Sequence, residues 1–290
     1  MISTPMRSNT PGPSGKRAGR PGFPARLDTG GGPAGPLAGS LGPRLKKSVR
    51  PVVVPPLPRV QTPRALAPDF PRDPIPARGR MVRELAAQGI SDARVLRAMG
   101  AVERHRFVET GLAPQAYEDT ALPIGLGQTI SKPSVVARML ELLVQGGVQD
   151  AQGRLGRVLD IGTGCGYQAV VLSHLAAEVY SIERLRELHE KARANLRPLR
   201  IANVHLILGD GMAGFAKGAP YAGIVAAAGG EALPPQWIEQ LAEGGRIVAP
   251  IAGHGPGRSQ ALMVVDKTRA GIIETVLEAV NFVPLKSGIV

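Results

Sequence analysis

The sequence predicts an α/β protein whose core is a doubly wound, mostly parallel sheet. From about residue 157, short apolar segments with strand character alternate with segments of helical periodicity, which is the element order of such a sheet. Two apolar segments flank a turn at residues 268–271 near the end of the chain, and a hairpin there adds an antiparallel edge. Helices are predicted before the alternation begins, and a Pro- and Gly-rich segment precedes those helices.

The individual elements follow from periodicity, apolar segments and helix-end residues. Helices are predicted at 81–87, at 92–99 (with Ser91 as N-cap and Gly100 as the end), from Pro133, and at 167–176, 185–199 and 235–241. Strands are predicted at 157–161, 179–182, 204–208, 224–228 and 246–251, followed by the hairpin of 261–266 and 272–276 and an extended piece at 280–285.

The first 78 residues differ in composition from the rest of the chain. They carry 17 of the 27 prolines, and residues 1–80 hold a net charge of +11, whereas residues 81–290 hold +1. Because residues 1–78 show no apolar periodicity, they are predicted to be a disordered, basic extension. Residues 79–290 are predicted to be the folded domain. The extension is a solvated tail, a basic tail that contacts RNA, DNA or acidic lipid, or an organellar transit peptide.

Cysteine and histidine usage argues against disulfides and metal. Cys165 is the single cysteine, and the five histidines show no ligand spacing, so no disulfide framework and no metal site are expected. No apolar segment approaches the roughly 18 residues of a membrane span, and no signal-peptide core is present at the N-terminus. These features lead us to expect a cytoplasmic protein.

The segment that follows the first strand is rich in glycine. It reads Gly162-Thr163-Gly164-Cys165-Gly166-Tyr167 and leads into a helix. Glycines in this place let the backbone approach a ligand closely. A dinucleotide-binding loop would need Gly or Ala at position 167, where this chain has Tyr. The G-x-G-x-G spacing is that of S-adenosylmethionine-dependent methyltransferases, and the alternative is an ordinary tight turn between strand and helix.

Acidic residues stand at the carboxyl ends of the same strands, where doubly wound sheets bind ligands. Glu183 ends the second strand, and we expect its carboxylate to accept the ribose hydroxyls of the cofactor, unless it is a surface or capping residue. Asp210 follows the third strand and is expected at the adenine, with Gly211 as a close backbone contact, unless it is a turn aspartate. Asp160 either holds the glycine loop or meets the methionine ammonium group.

One further segment identifies the family that the chain resembles. Residues 117–133 read YEDTALPIGLGQTISKP, which closely resembles the protein-L-isoaspartate(D-aspartate) O-methyltransferases. The resemblance extends to RFV at 106–108, LDIGTGCGYQ at 159–168, SIER at 181–184, LGDG at 208–211 and NFVPL at 281–285. It covers residues 81–290. The chain departs from the family at Ala222, where an aspartate is usual.

The resemblance implies a Rossmann-like methyltransferase fold and methyl transfer from S-adenosylmethionine to the α-carboxyl of L-isoaspartyl residues in damaged proteins. The ester then closes to a succinimide, whose hydrolysis restores part of the L-aspartate. Because a carboxylate is already ionised near neutral pH, it needs no strong general base. Ser131 is the candidate that orients this carboxylate, with helix N-capping as its alternative role. Gln128, Thr129 and Ile130 are expected to help close the site.

The sequence is also compatible with two other functions. A methyltransferase of the same fold could act on another carboxylate or on RNA, and a protein with the same loop could bind the cofactor without transferring its methyl group. The RNA alternative draws only on the basic extension, because the folded region lacks the positive surplus that phosphate contacts require.

Overall fold

The computed structural model describes residues 75–252 and 259–290. The disordered extension predicted over residues 1–78 lies outside the described residues up to position 74. Residues 75–78 belong to helix α1 (Ile75–Ala87), so the helix begins before the predicted domain boundary at 79. Pro76 stands in its first turn, where a missing N–H group costs no intrahelical hydrogen bond.

Fifteen helices and strands follow one another in the described ranges, apart from short 3₁₀ turns. The α-helices are α1 (Ile75–Ala87), α2 (Ala93–Ala101), α3 (Pro133–Gly146), α4 (Tyr167–Ser173), α5 (Arg186–Leu196) and α6 (Pro235–Gln240). The strands are β1 (Leu122–Gly125), β2 (Gln128–Ile130), β3 (Leu155–Ile161), β4 (Ala176–Glu183), β5 (Val204–Leu208), β6 (Tyr221–Ala226), β7 (Leu241–Ala252), β8 (Gln260–Thr268) and β9 (Gly271–Val280).

The main sheet has seven strands in the order β5-β4-β3-β6-β7-β8-β9. Neighbours from β5 to β7 run parallel, and β7–β8 and β8–β9 are antiparallel. The predicted doubly wound sheet with an antiparallel C-terminal edge is therefore confirmed. The chain leaves β3 toward β4 on one side and later returns to β6 on the other. This reversal of strand order creates the crevice in which such folds bind ligands.

Apolar side chains cover both faces of the sheet. Val158 and Leu159 are adjacent in β3, yet they belong to two different buried clusters. Val225 and Ile224 of β6 are divided in the same way. This alternation arises because successive strand residues point to opposite faces, and it explains why the parallel strands read as nearly continuous apolar segments. None of the described helices is long and apolar enough to cross a membrane.

The start of α2 differs from its prediction. Asp92, not Ser91, is the N-cap, and its carboxylate accepts the N–H groups of Arg94 and Val95. Ser91 instead donates its N–H and its hydroxyl to the buried carboxylate of Glu141 in α3, at 2.7 and 3.1 Å. A partner fifty residues away thus overrides a local preference. Gly100 was also expected to end this helix, but the helix continues through it to Ala101.

Several boundaries in the second half also differ from prediction, among them the following three. Helix α4 ends at Ser173, not at residue 176, because Ala176 pairs with Leu155 as the first residue of β4. Strand β6 ends at Ala226, so residues 227 and 228 leave the sheet. The extended piece predicted at 280–285 contains only a single bridge, between Pro284 and Gly229, after β9 ends.

The hairpin β1–β2 was not predicted. Leu122 pairs with Ile130 and Gly125 with Gln128 across it. Its strands have four and three residues, which is too short to show a period of two, and its Pro and Gly content resembles a loop. The hairpin lies in the family-specific segment directly before Ser131.

Candidate active site

A cavity of about 530 Å³ opens at the carboxyl ends of β3, β4 and β6, which is within the usual size of a small-molecule site. Eight of the predicted site residues line it, and they come from the hairpin segment, the glycine loop and two strand ends: Gln128, Thr129, Ile130, Ser131, Gly162, Gly164, Glu183 and Gly211. Asp160, Gly166 and Asp210 do not line it. The cavity therefore joins the expected cofactor side to the expected acceptor side.

The glycine loop adopts a backbone that favours glycine at three positions. Gly162, Gly164 and Gly166 have φ angles of 90°, 55° and 92°, in the left-handed region that L-residues with a Cβ rarely adopt. At Gly166, an added Cβ would also lie 2.5 Å from the side chain of Leu196 in α5. Gly166 thus lies where α4 approaches α5 closely, whereas the other two glycines border the cavity.

Glu183 binds the glycine loop and faces the cavity. Its Oε2 accepts the N–H of Gly164 at 2.9 Å, and its Oε1 accepts the N–H of Leu185 at 3.0 Å. The residue is 5% exposed. Each carboxylate oxygen can accept more than one hydrogen bond, so both can still accept ligand hydroxyls. A fixed carboxylate at this strand end has the chemistry that the two ribose hydroxyls of a nucleoside need.

Asp160 supports the loop from inside the protein. It is fully buried, and its two carboxylate oxygens accept hydrogen bonds from Gln168 Nε2 at 2.8 Å and Ser181 Oγ at 2.7 Å. Ser181 in turn lies 2.7 Å from the hydroxyl of Thr163 in the loop. Burial raises the pKa of Asp160 to about 6. Of its two expected roles, the structure shows the contacts of the first, which is to hold the loop.

Asp210 and Gly211 follow β5. The Asp210 carboxylate accepts the N–H of Met212 at 2.9 Å and that of Gly288 at 2.7 Å, so it caps a short turn and also holds the C-terminal segment. Gly211 borders the cavity, and an added Cβ would lie 2.7 Å from Ile161. The indole of Trp237, which is buried, donates to the Gly211 carbonyl at 2.8 Å.

On the acceptor side, Ser131 lines the cavity and is not the cap of α3. Lys132 precedes that helix and makes no side-chain cap. Asp119 performs the capping instead, since its carboxylate accepts the N–H and the hydroxyl of Ser134 at 2.9 and 2.8 Å. Within the described residues, the Ser131 hydroxyl has no hydrogen-bond partner, and the capping alternative for Ser131 is wrong.

The hairpin β1–β2 extends over the glycine loop. An added Cβ on Gly164 would meet the side chain of Ile124 at 3.1 Å, which shows how closely the two segments approach. Lys191 of α5 donates to the Ile124 carbonyl at 2.7 Å. At the tip, Leu126 has a φ of 53° and is 49% exposed while lining the cavity. The hairpin is therefore a cover that joins the cofactor side to the acceptor side.

The residues after β9 form a further wall that the sequence analysis did not include among the site residues. Val283, Pro284, Leu285 and Lys286 line the cavity. Backbone hydrogen bonds join Gly229 to Val283 and Leu285, and join Val290 to Arg184 and Arg186. The NFVPL motif at 281–285 had indicated only family resemblance, because nothing local in it shows which surface it covers.

Two residues of the loop supply no nucleophile. Cys165 is buried, and burial raises the pKa of its thiol, so the thiol stays protonated near neutral pH. Burial also raises the pKa of Tyr167 to about 12, and its hydroxyl faces the sulfur of Met99 at 3.7 Å. Over residues 75–252 and 259–290, no cluster of His, Cys, Asp and Glu could hold a metal ion.

Ala222, which departs from the family pattern, is closely packed against the neighbouring strand. Ala222 is buried in β6, and its Cβ lies 3.3 Å from the Cβ position of Gly156 in the neighbouring strand β3. An aspartate at this position would place a carboxylate in that contact. Ala227 and Ala228, which follow the same strand, line the cavity, and their small side chains keep that wall open.

A doubly wound sheet with this glycine loop, a fixed acidic residue at the next strand end and a cavity between them is the architecture of the S-adenosylmethionine-dependent methyltransferases. A model of the protein-L-isoaspartate(D-aspartate) O-methyltransferase family matches residues 77–289. The chain belongs to this family.

Individual relatives agree with the family model. The protein-L-isoaspartate O-methyltransferase of Methylibium petroleiphilum is 59% identical over 212 residues, which cover 73% of this chain and 77% of that protein. That of Cupriavidus pinatubonensis is 57% identical over 219 residues, covering 73% of each. The residues matched by the family model, 77–289, include the hairpin and the C-terminal wall.

Solved structures show the same fold. A protein-L-isoaspartate O-methyltransferase matches with a TM-score of 0.64 and 28% identity over 73% of this chain and 67% of that chain. A Plasmodium falciparum member, crystallised with S-adenosyl-L-homocysteine, matches with a TM-score of 0.60 and 25% identity over 72% of this chain and 98% of that one. S-adenosylmethionine is accordingly the methyl donor of this chain.

Proposed function

We propose that the chain methylates the α-carboxyl of L-isoaspartyl residues in damaged proteins and thereby starts their return to L-aspartate. The observation that carries this proposal is the shared cavity, where residues 128–131 of the family-specific segment face the glycine loop and Glu183. The relatives named above are protein-L-isoaspartate O-methyltransferases, which supports the same acceptor here.

The residues of the cofactor side suit S-adenosylmethionine. Glu183 presents a carboxylate to the ribose, Gly162 and Gly164 offer close backbone, and Gly211 borders the adenine side next to Asp210. The loop has no phosphate to cradle, and Tyr167 fills the position that a dinucleotide loop leaves to a small residue. When bound, S-adenosylmethionine supplies an activated methyl group, so the protein has no leaving group to protonate.

The acceptor side has to align a carboxylate and exclude water. The Ser131 hydroxyl, which has no partner among the described residues, donates to one carboxylate oxygen and directs the other oxygen toward the methyl group. Gln128, Thr129 and Ile130 close the site beside it. Since the acceptor is ionised near neutral pH and needs no base, alignment and desolvation supply the rate enhancement.

The product determines how repair follows. The methoxide of the ester is a better leaving group than the oxide of a carboxylate. The backbone nitrogen of the following residue therefore attacks the ester carbonyl, the methoxide leaves with the proton of that nitrogen as methanol, and a succinimide forms. Hydrolysis of that ring yields aspartyl and isoaspartyl peptides, and repeated cycles enrich the normal aspartyl form. The chain's own part ends with release of the ester.

Labelled methyl transfer to matched isoaspartyl and aspartyl peptides tests the function. We expect transfer to the isoaspartyl peptide and none to its aspartyl twin. Equal transfer to both peptides, or to RNA alone, would instead indicate another acceptor on the same fold. Cofactor binding in calorimetry without any transfer would indicate a protein that binds the cofactor only.

Ser131 provides the sharpest test of the acceptor site. Ser131→Ala should lower the rate of isoaspartyl methylation about ten- to a hundredfold, because one hydrogen bond to a charged group is lost in the transition state. Affinity for S-adenosylmethionine should stay close to wild type. Thermal stability should also change little, since Asp119 caps α3. Ser131→Asn should fold equally well and still be impaired, because its larger amide displaces the carboxylate.

A control variant separates this role from general damage to the segment. Ser134→Ala removes a hydroxyl three residues away, in the cap contact with Asp119, and should lower stability by about 1 kcal/mol with little effect on rate. A well-folded Ser131→Asn variant that methylates at the wild-type rate would refute the catalytic role of Ser131.

We also infer a cytoplasmic location and a polyanion contact of the basic extension. A single buried, reduced cysteine supports the first inference, and the net charge of +11 over residues 1–80 supports the second. Cell fractionation tests the location.

The polyanion contact is tested by measuring how the full chain, and a chain without residues 1–74, bind heparin or RNA at low and high salt. Binding that does not depend on the salt concentration, or that persists without the extension, would contradict it.

A further inference from the structure

Arg104 is a fully buried arginine beside the acceptor segment. It lies in the 3₁₀ turn Arg104–Phe107 and has no exposed surface. Its Nε donates to the carbonyl of Ala116 at 2.8 Å, and its Nη2 donates to the carbonyl of Ser131 at 2.7 Å. One guanidinium thus joins the two ends of the segment that contains the hairpin β1–β2.

The same guanidinium also contacts the cofactor side. Its central carbon lies 4.8 Å from the centre of the Tyr167 ring, in the range of a cation–π contact. Tyr167 follows Gly166 directly and is the first residue of α4. The rings of Phe107 and Tyr167 make an edge-to-face contact, with 5.6 Å between their centres. Arg104 therefore touches both Ser131's own peptide group and the residue that ends the glycine loop.

Burial of the Arg104 charge at this position costs free energy. Among the residues that the structure describes, no carboxylate pairs with Arg104, and its buried Nη1 has no hydrogen-bond partner. Burial lowers the pKa of the guanidinium. Replacement of a buried charge by an apolar side chain of similar volume is often neutral or stabilising, so stability alone does not account for an arginine here.

We propose that Arg104 is a positioning residue for methyl transfer, which holds Ser131 at a fixed distance from the cofactor loop through the Ser131 carbonyl and the Tyr167 ring. The proposal rests on the proposed function of Ser131. The planar fork of arginine reaches two carbonyl groups at once while its face packs on an aromatic ring, and neither lysine nor an apolar residue combines these contacts.

The test compares Arg104→Met and Arg104→Lys with wild type in kcat/KM for an isoaspartyl peptide and in calorimetric affinity for S-adenosylmethionine. We expect kcat/KM to fall about ten- to a hundredfold in the Met variant and at least about tenfold in the Lys variant, because the acceptor is misaligned. Cofactor affinity should stay within about threefold of wild type, since Glu183 and the loop glycines remain. If Arg104→Met does not fold, the Lys variant carries the test.

A double-mutant cycle shows whether Arg104 acts through Ser131. In a Ser131→Ala background, Arg104→Met should lower kcat/KM by less than about threefold, because the alignment it maintains is already lost. Equal losses in both backgrounds would overturn the proposal, as would a near-wild-type rate of either single variant or a parallel loss of cofactor affinity.

Arg246→Met is the matched control. Arg246 is a partly buried arginine that, like Arg104, donates to a backbone carbonyl, that of Leu142, but it forms a bidentate pair with Asp266 away from the cavity. We expect it to lower stability and leave kcat/KM close to wild type. Transfer by the wild-type protein is measured first, so that failure of the proposed function is seen separately from failure of the Arg104 proposal.

Discussion

At the residue scale, Glu183 combines two tasks that can be separated by experiment. It fixes the glycine loop through the N–H of Gly164, and it presents the same carboxylate to the cavity. Glu183→Ala should weaken S-adenosylmethionine binding by roughly ten- to a hundredfold, because a carboxylate that accepts two ribose hydroxyls contributes about 1–3 kcal/mol. Isothermal calorimetry measures this change.

The control for this prediction is Glu190→Ala in α5, which removes an exposed carboxylate that pairs with Arg193. Its cofactor affinity should match wild type. An unchanged affinity in the Glu183 variant itself would show that another group holds the ribose.

Asp160 makes stability depend on pH in an unusual direction. Its pKa is about 6 in the folded protein, above the ordinary value of 3.8, so the native state binds this proton more tightly than the unfolded state does. Its contribution to stability is therefore greatest below about pH 4, falls between about pH 4 and 6, and is constant above. The whole change is at most about 3 kcal/mol.

Asp160→Asn removes this ionisation and keeps the shape of the side chain. The amide can still accept from Gln168 and can donate to Ser181, whose hydroxyl then turns toward Thr163. Relative to wild type, we expect the variant to gain thermal stability as the pH rises from 4 to 7, measured without cofactor. A difference between the two proteins that does not change with pH would contradict the raised pKa.

Asp150→Asn supplies a control of opposite sign. Hydrogen bonds from the Arg154 backbone and side chain, together with the backbone N–H of Gln152, lower the pKa of the half-buried Asp150. Its contribution is present above its ordinary pKa of 3.8 and is lost as the pH falls through its lower folded value. Relative to wild type, this variant should therefore lose stability as the pH rises through that range.

At the scale of elements, the hairpin β1–β2 covers the cavity and is held at Ile124 by Lys191 of α5. Lys191→Met removes this hydrogen bond and keeps the length of the side chain. Because Lys191 is only half-buried, we expect the lost hydrogen bond to weaken peptide binding by about 1 kcal/mol, which is a roughly fivefold rise in KM for the peptide. Faster amide exchange of residues 122–130 should accompany it.

Lys217→Met tests whether loss of any lysine charge has this effect. Lys217 lies in the 3₁₀ turn Ala216–Gly218, outside the cavity wall, and its variant should leave KM and exchange unchanged. If the Lys191 variant exchanges its hairpin amides at the wild-type rate, the hairpin is held by its apolar contacts alone.

At the scale of the whole molecule, we predict that residues 1–74 are dispensable for folding and catalysis. Their sequence has no periodic apolar face to bury, and the family match begins only at residue 77. A chain that starts at residue 75 should unfold at close to the temperature of the full chain and methylate isoaspartyl peptide at a similar rate. Thermal unfolding and peptide methylation measure both properties.

A longer truncation marks the other side of the boundary. A chain that starts at residue 88 also loses α1, which buries Met81 and Leu85, and each buried side chain of this kind contributes about 2–5 kcal/mol. This protein should be strongly destabilised. A large loss of stability already on removal of residues 1–74 would contradict the prediction that the extension is dispensable for folding.

Local chemistry in the sequence was sufficient for the fold class and the cofactor loop. The elements β3, α4, β4, α5 and β5 are segments of five to eleven residues, and each can be recognised from its own periodicity or apolar content. The positive φ angles of Gly162, Gly164 and Gly166 are likewise properties of single residues. The segment at 117–133 was specific enough to indicate the family, although its hairpin was too short to be recognised.

Contacts between distant segments were beyond reach of the sequence for a physical reason. A hydrogen-bond donor selects among all acceptors that folding brings within 3 Å, and periodicity says nothing about which they are. Ser91 donates to Glu141 and does not cap α2. Asp119, and not Ser131, caps α3. Asp210 accepts from Gly288 in addition to its own turn. Arg104 shows the same limit: nothing in the local sequence RHRFV at 104–108 indicates that its first arginine is buried, and only the assembled core places it between Ser131 and Tyr167.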